Sequence, residues 1–204
     1  MNAVARLALN PYDPEKWMRQ VPKALGATSA SAALYEYLRG FLLPEKNSVL
    51  ELGSGSGLIS ILLALAHPDW IISGMEIQKE LHDISVQNAM ALKLPIRFIH
   101  ADLRTCQTEA AYDLIYANPP WQKLGQGILS PNPAKAICRS EVTCTMHDVF
   151  AFASFHLRAG GQAVLLYPSS RAKEAEATCK NAGLKLTNVK DNPPHWSIMH
   201  FTKG

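Results

Sequence analysis

Ser48-Val49-Leu50-Glu51-Leu52-Gly53-Ser54-Gly55-Ser56-Gly57-Leu58-Ile59 is the stretch on which the fold turns. A short apolar run leads into a glycine-rich turn, and an apolar helix over Leu58–Ala66 follows until His67-Pro68 stops it. Glycines admit positive φ and let a ligand approach the backbone, while the helix start offers unpaired N–H groups. A dinucleotide fingerprint, GxGxxG, needs glycine where Leu58 stands. The pattern here is GxGxG preceded by an acid, which suits a ligand with an amino-acid tail. Glu51 then faces an ammonium and the N–H groups a carboxylate; alternatively, Glu51 orders the turn.

Outward from this stretch the rhythm is strand, helix, strand, helix. Leu34, Tyr37, Leu38, Phe41 and Leu42 recur at helical spacing before Pro44, with Ser29 or Ser31 as the expected cap. Strands are expected at Ser48–Leu52, Trp70–Glu76, Ile96–His100, Tyr112–Ala117, Ala163–Tyr167, Leu184–Val189 and Trp196–Phe201. Between them, Gln78–Leu92, Met146–Leu157 and Arg171–Asn181 read as helices, with Ala159-Gly160-Gly161 and Gly183 as stops. The whole predicts an α/β fold: a seven-stranded, mostly parallel sheet, helices on both faces, and an antiparallel C-terminal hairpin. Residues 1–204 read as one domain, a helical segment over 1–44 before a core over 45–204.

The 204 residues are 48% hydrophobic and 18% charged, an ordinary globular composition. The opening twenty residues lack a signal-peptide core, and no run reaches membrane-spanning length, so the expectation is a cytoplasmic protein. Cys106, Cys138, Cys144 and Cys179 form no CxxC pair, and no metal is expected. A net charge of +3 is compatible with a nucleic-acid partner without requiring one.

Three further sites follow strand ends. Glu76, with Ile77 after it, is placed to accept from the two hydroxyls of a ribose, or to cap the helix that follows. Asp102, beside Leu103, is placed to accept from an adenine amino group or to cap the turn. Asn118-Pro119-Pro120-Trp121 is the most informative tetrapeptide. A planar NH2 is a poor nucleophile because its lone pair is delocalised. The Asn118 carboxamide oxygen and the Pro119 carbonyl can each accept one of its hydrogens, favouring a pyramidal nitrogen aimed at its electrophile. Trp121 offers a plane for stacking. A second copy, Asn192-Pro193-Pro194-His195, lies between the last two strands and reads as a hairpin connection.

On these residues the chain resembles the Rossmann-like class I S-adenosylmethionine-dependent methyltransferases of the NPPY amino-methylating group. From Asn118 to Gly161, including Asn132–Arg139 and Glu141–Thr145, it is similar to bacterial tRNA adenine-N6 methyltransferases. Trp121 departs from the usual tyrosine and Ser140 from an expected histidine. The resemblance implies Asn118, Pro119, Pro120 and Trp121 as catalytic residues. It implies Glu51, Gly53, Ser54, Gly55, Gly57, Glu76, Ile77, Asp102, Leu103 and Asn118 around S-adenosylmethionine. Trp121, Lys123, Lys135 and Arg139 are the expected contacts to an RNA substrate, structured tRNA in kind. Two other readings stand beside this one: a protein glutamine-amide methyltransferase, and a non-catalytic cofactor-binding subunit.

Overall fold

The computed structural model describes residues 5–8, 17–20, 28–41, 43, 47–106, 111–123, 125, 131, 136–138 and 140–204. In chain order these form β1 (Ala5–Ala8), β2 (Trp17–Gln20), α1 (Ser29–Arg39), β3 (Ser48–Leu52), α2 (Leu58–Ala66), β4 (Ile71–Glu76), α3 (Lys79–Ala91) and β5 (Arg97–His100). Then come β6 (Tyr112–Ala117), α4 (Met146–His156), β7 (Leu157–Tyr167), α5 (Ala172–Asn181), β8 (Leu184–Asn192) and β9 (Trp196–Lys203).

Seven of the strands share one sheet in the order β5-β4-β3-β6-β7-β9-β8. The pairs among β5, β4, β3, β6 and β7 are parallel, while β9 is antiparallel to both β7 and β8. From β3 the chain steps outward through β4 and β5, then returns to the other side of β3 as β6. The order therefore reverses between β3 and β6, and a crevice opens there at the carboxyl edge, where open α/β sheets take their ligands.

Alternation along the strands divides the core. Leu50, Leu52, Ile115, Ala117, Ala163 and Leu165 pack with Val149, Phe150 and Ala153 of α4. Their neighbours Val49, Leu114, Tyr116, Val164 and Leu166 point the other way, against Leu34 and Leu38 of α1 and Ile59 and Leu63 of α2. Side chains in a strand alternate faces, so a continuous apolar run is what a sheet covered on both sides requires.

Three expectations are corrected. The segment 1–44 is not helical throughout: β1 and β2 form an antiparallel ribbon, Ala5 opposite Gln20 and Ala8 opposite Trp17, before α1. Strands of four residues are too short to show a period that would reveal them. The cap of α1 is Thr28, whose side chain accepts from the Ser31 N–H, and neither Ser29 nor Ser31. Ala159-Gly160-Gly161 is not a turn before a strand: β7 starts at Leu157, and the register jump from Tyr112–Leu157 to Leu114–Gln162 absorbs residues 158–161 as a bulge.

Candidate active site

Register brings the two informative turns together. Leu52 of β3 pairs with Ala117 of β6 on one side and with Met75 of β4 on the other. Gly53, Asn118 and Glu76 therefore leave the same edge of the sheet within one or two strand spacings. A cavity of about 750 Å³ lies above them, well within the usual range for small-molecule sites.

The glycines of the first turn do different jobs. Gly53 and Gly55 have φ of +67° and +56°, and a Cβ on either would meet nothing within 4 Å. Both are on the cavity wall, so their open side faces the cavity. Gly57 has φ +85° too, but a Cβ there would sit 2.8 Å from Phe98 Cζ and 3.2 Å from Ser85 Cβ. It is absent from the cavity wall. Its Cβ position is closed by the packing of the α2 start on α3 and β5. Ser54 is buried, its N–H bonds Met75 O at 3.0 Å, and its Cβ abuts Gly74. What it brings to the cavity wall is a tied turn.

The two glutamates are also unlike. Glu76 Oε2 accepts from Gly55 N and Oε1 from Gln78 N, each at 2.8 Å. Burial raises its pKa, opposed by the N–H groups of Gln78, Gly55 and Ile77. A carboxylate offers about four acceptor sites, so these backbone donors leave acceptor capacity toward the cavity. Glu51 commits Oε2 to Ser60 N at 3.1 Å, to the Ser60 hydroxyl and to Tyr116 OH at 3.2 Å. Burial pushes its carboxyl up to about 8. Of the two readings open for Glu51, this oxygen follows the second: it orders the turn from below.

Asp102, Leu103 and Ile77 line the cavity. The Asp102 carboxylate is held by Arg104, Nη2 to Oδ2 at 2.6 Å and Nε at 3.1 Å from both oxygens, which lowers its pKa. Its carbonyl caps the following turn, accepting from Thr105 N and Cys106 N. Both functions considered for this acid are thus open to the same residue.

At the second turn, Asn118 Nδ2 donates to Ser31 Oγ at 3.4 Å. This leaves Oδ1 without a donor among the described residues. Pro119 is buried, Pro120 and Trp121 half-buried. Trp121 packs against the hydrophobic clusters on both faces of the sheet. Its carbonyl accepts from Arg171 Nη1 at 3.0 Å, and the same nitrogen bonds Glu141 Oε1 at 2.7 Å. Arg171, itself buried, thereby ties the tetrapeptide to the end of β7 and to the segment before α4. Lys123 pairs with Glu174 at 2.9 Å. Lys135 and Arg139 lie outside the described residues.

Several wall residues had escaped the sequence reading. Thr28 and Ser31 reach the cavity from the start of α1, and His195 and Trp196 from the β8–β9 connection. That connection is the expected hairpin, but it also borders the site. Ser197 pairs with Tyr167, so antiparallel β9 begins where β7 ends. Its start stands at the carboxyl edge of the parallel strands. Expecting an antiparallel last strand already contained this placement.

The chain belongs to the methyltransferase small domain family, whose model matches residues 27–182. It is 33% identical over 142 residues to the tRNA1(Val) (adenine(37)-N6)-methyltransferase of Aeromonas hydrophila, covering 67% of this chain and 59% of that protein. It is 34% identical over 102 residues to the release factor glutamine methyltransferase of Streptococcus pneumoniae, 46% of this chain and 36% of that one. The matched part spans less than two thirds of these relatives. Among solved structures, a T. thermophilus 16S rRNA methyltransferase in complex with AdoMet and guanosine superposes with a TM-score of 0.66 at 23% identity, covering 92% of this chain and 47% of that one.

Proposed function

We propose that this chain is an S-adenosylmethionine-dependent N-methyltransferase acting on a planar NH2 group, and that its acceptor is adenine N6 in structured RNA, a tRNA above all. The observation that carries this is the Leu52–Ala117 register, with the glycine-rich turn beside Asn118-Pro119-Pro120-Trp121.

The residues suit that cofactor. Open glycines at 53 and 55 leave room for an amino-acid tail against the backbone. Glu76 has acceptor capacity for ribose hydroxyls, and Asp102 with Leu103 for an adenine edge. When bound, the cofactor supplies an activated methyl group. The chain's own part is to orient the acceptor: Asn118 Oδ1 and the Pro119 carbonyl take the two NH2 hydrogens, and Trp121 gives the ring a surface. A base enters such a slot only out of its stack, at a cost that stacking on Trp121 partly offsets. An RNA partner and a cytoplasmic setting belong to the same proposal, as does treating 1–204 as one methyltransferase domain.

A glutamine amide would present the same NH2 to the same acceptors, and one relative is named for that chemistry. The RNA reading is preferred because the matches to tRNA methyltransferases extend over 67–71% of this chain, against 46% for that relative. Methyl transfer from labelled S-adenosylmethionine onto tRNA, rRNA, DNA and protein fractions, followed by nucleoside analysis, is the test. N6-methyladenosine in tRNA is expected. Label only in protein moves the acceptor to an amide, and cofactor binding without transfer to any fraction leaves a non-catalytic subunit. Calorimetry tests the cofactor half: Glu76→Ala should weaken binding by about 1.5–3 kcal/mol, and unchanged affinity removes the ribose assignment.

A further inference from the structure

The carboxamide of Asn118 has two ends, and only one suits an acceptor NH2. With Oδ1 toward the cavity it accepts a hydrogen; flipped, its own NH2 confronts another donor. The two ends are nearly the same size, so shape gives no preference by itself, and the choice must come from what touches the far end.

That end meets α1. Asn118 Nδ2 donates to Ser31 Oγ at 3.4 Å. Ser31 Oγ lies 3.0 Å from Thr28 Oγ1, which as cap already accepts the Ser31 N–H at 3.1 Å. A hydroxyl has one proton and two lone pairs. Either hydroxyl can donate in that pair; with the Ser31 proton turned to Thr28, only lone pairs face Asn118, and the amide presents its NH2 to them. Ala30, Leu34 and Leu38 hold α1 in the core at 0–4% exposure, so Ser31 is carried on a fixed support. Thr28, Ser31 and Asn118 line the same cavity.

We propose that Ser31 is a positioning residue: through the Thr28–Ser31–Asn118 chain of hydrogen bonds, α1 sets the Asn118 amide with Oδ1 toward the acceptor. This rests on the reading of Asn118 given above. The helix start that precedes the sheet then joins the turns at the strand ends in one site.

The test uses the full chain with ¹⁵N label. In Ser31→Ala the Asn118 side-chain NH2 signals, identified by their loss in Asn118→Ala, should shift and exchange faster with solvent; Ser31→Thr should restore them. Single-turnover transfer from labelled S-adenosylmethionine to an unmodified valine tRNA transcript should fall about 3- to 10-fold in Ser31→Ala, the scale of one neutral hydrogen bond. Cofactor affinity and Tm should stay near the parent's, and Ser31→Thr should recover the rate. In an Asn118→Ala background Ser31→Ala should cost nothing more. Unmoved NH2 signals, a parent-like rate in Ser31→Ala, or the same loss in both backgrounds overturns the proposal. Asn118→Ala turning over like the parent overturns instead the reading of the site. A transcript that accepts no methyl from the parent counts against the RNA acceptor, and the NMR comparison then decides on Ser31.

Discussion

The chain contains Asn-Pro-Pro twice, and the two copies differ in everything but sequence. Asn118-Pro119-Pro120 leaves the end of the central parallel strand β6, half-buried, its asparagine bonded to a residue 87 positions earlier. Asn192-Pro193-Pro194 is an exposed connection between antiparallel strands, closed on itself by His195 N to Asn192 O at 2.9 Å. The same tripeptide lines the cavity in one place and is an exposed connection in the other. Its chemistry is decided by which strand end delivers it, and by whether a neighbour takes one end of the amide.

The comparison is broken most directly at the asparagines. Asn118→Ala removes an acceptor matched to positive charge developing on the acceptor nitrogen, so single-turnover rates should fall about 10²–10³-fold with cofactor affinity little changed. Asn192→Ala should leave both near the parent's. Loss of transfer in Asn192→Ala, with Asn118→Ala active, would exchange the roles of the two turns.

A smaller effect is expected at the aromatic that follows each turn. Trp121→Phe keeps a π-face and should retain most activity, whereas Trp121→Ala should weaken acceptor binding and turnover together, by about 1–3 kcal/mol if the acceptor is a stacked base. Trp196 borders the same cavity from the second turn. Trp196→Ala should raise the acceptor KM several-fold, within about 1 kcal/mol, and leave cofactor affinity unchanged. A Trp196→Ala variant indistinguishable from the parent in KM would confine the second turn to a hairpin role.

Beneath the first turn lies a buried acid. Tyr116, two residues before Asn118, bonds Glu51, whose carboxyl is pushed up to about 8 by burial against 4.5 in the open chain. The folded state therefore holds this proton more tightly than the unfolded state. The group's contribution is fully present below about pH 4.5 and is lost as pH rises toward 8. Glu51→Gln keeps the neutral form at every pH. Its advantage in stability over the parent should grow by on the order of 1–3 kcal/mol from pH 5 to pH 8, followed by denaturant titration. A difference independent of pH would mean that Glu51 is ionised in the fold.

The smallest effect concerns RNA charge. Lys123 is paired with Glu174, so Lys123→Ala should flatten the log–log salt dependence of tRNA binding by less than the one unit of a free phosphate contact. A full unit would show that the pair opens on RNA.

Much of this was legible in order along the chain. The ends of β3, α2 and β6 fall where apolar runs meet Gly, Pro or Asn, because turn chemistry is local. The seven strands of the sheet, their mostly parallel arrangement and the closing hairpin followed from runs and punctuation. Less legible were the β1–β2 ribbon, too short for a period, and the strand that begins at Leu157 and runs through Ala159-Gly160-Gly161, where glycines accommodate a bulge. The candidate site divides in the same manner. Gly53, Gly55, Glu76 and Asn118 follow strands whose ends the sequence marks, and all four border one cavity. A glycine's reason for being glycine is invisible locally: at Gly57, Phe98 and Ser85 exclude a Cβ.

By itself, the sequence determined the alternating elements, the glycine turn preceded by an acid, and the presence of a tetrapeptide able to accept both hydrogens of an NH2. Those are properties of neighbours in the chain, set by backbone freedom and side-chain chemistry. Only the tertiary structure decided that the second Asn-Pro-Pro turn borders the same cavity, that Glu51 Oε2 is tied to Ser60 and Tyr116, that Arg104 pairs with Asp102, and that Ser31 takes the far end of the Asn118 amide. Each of those depends on strand order and register, which bring residues dozens of positions apart within hydrogen-bond reach, and no local pattern encodes which partner will be there.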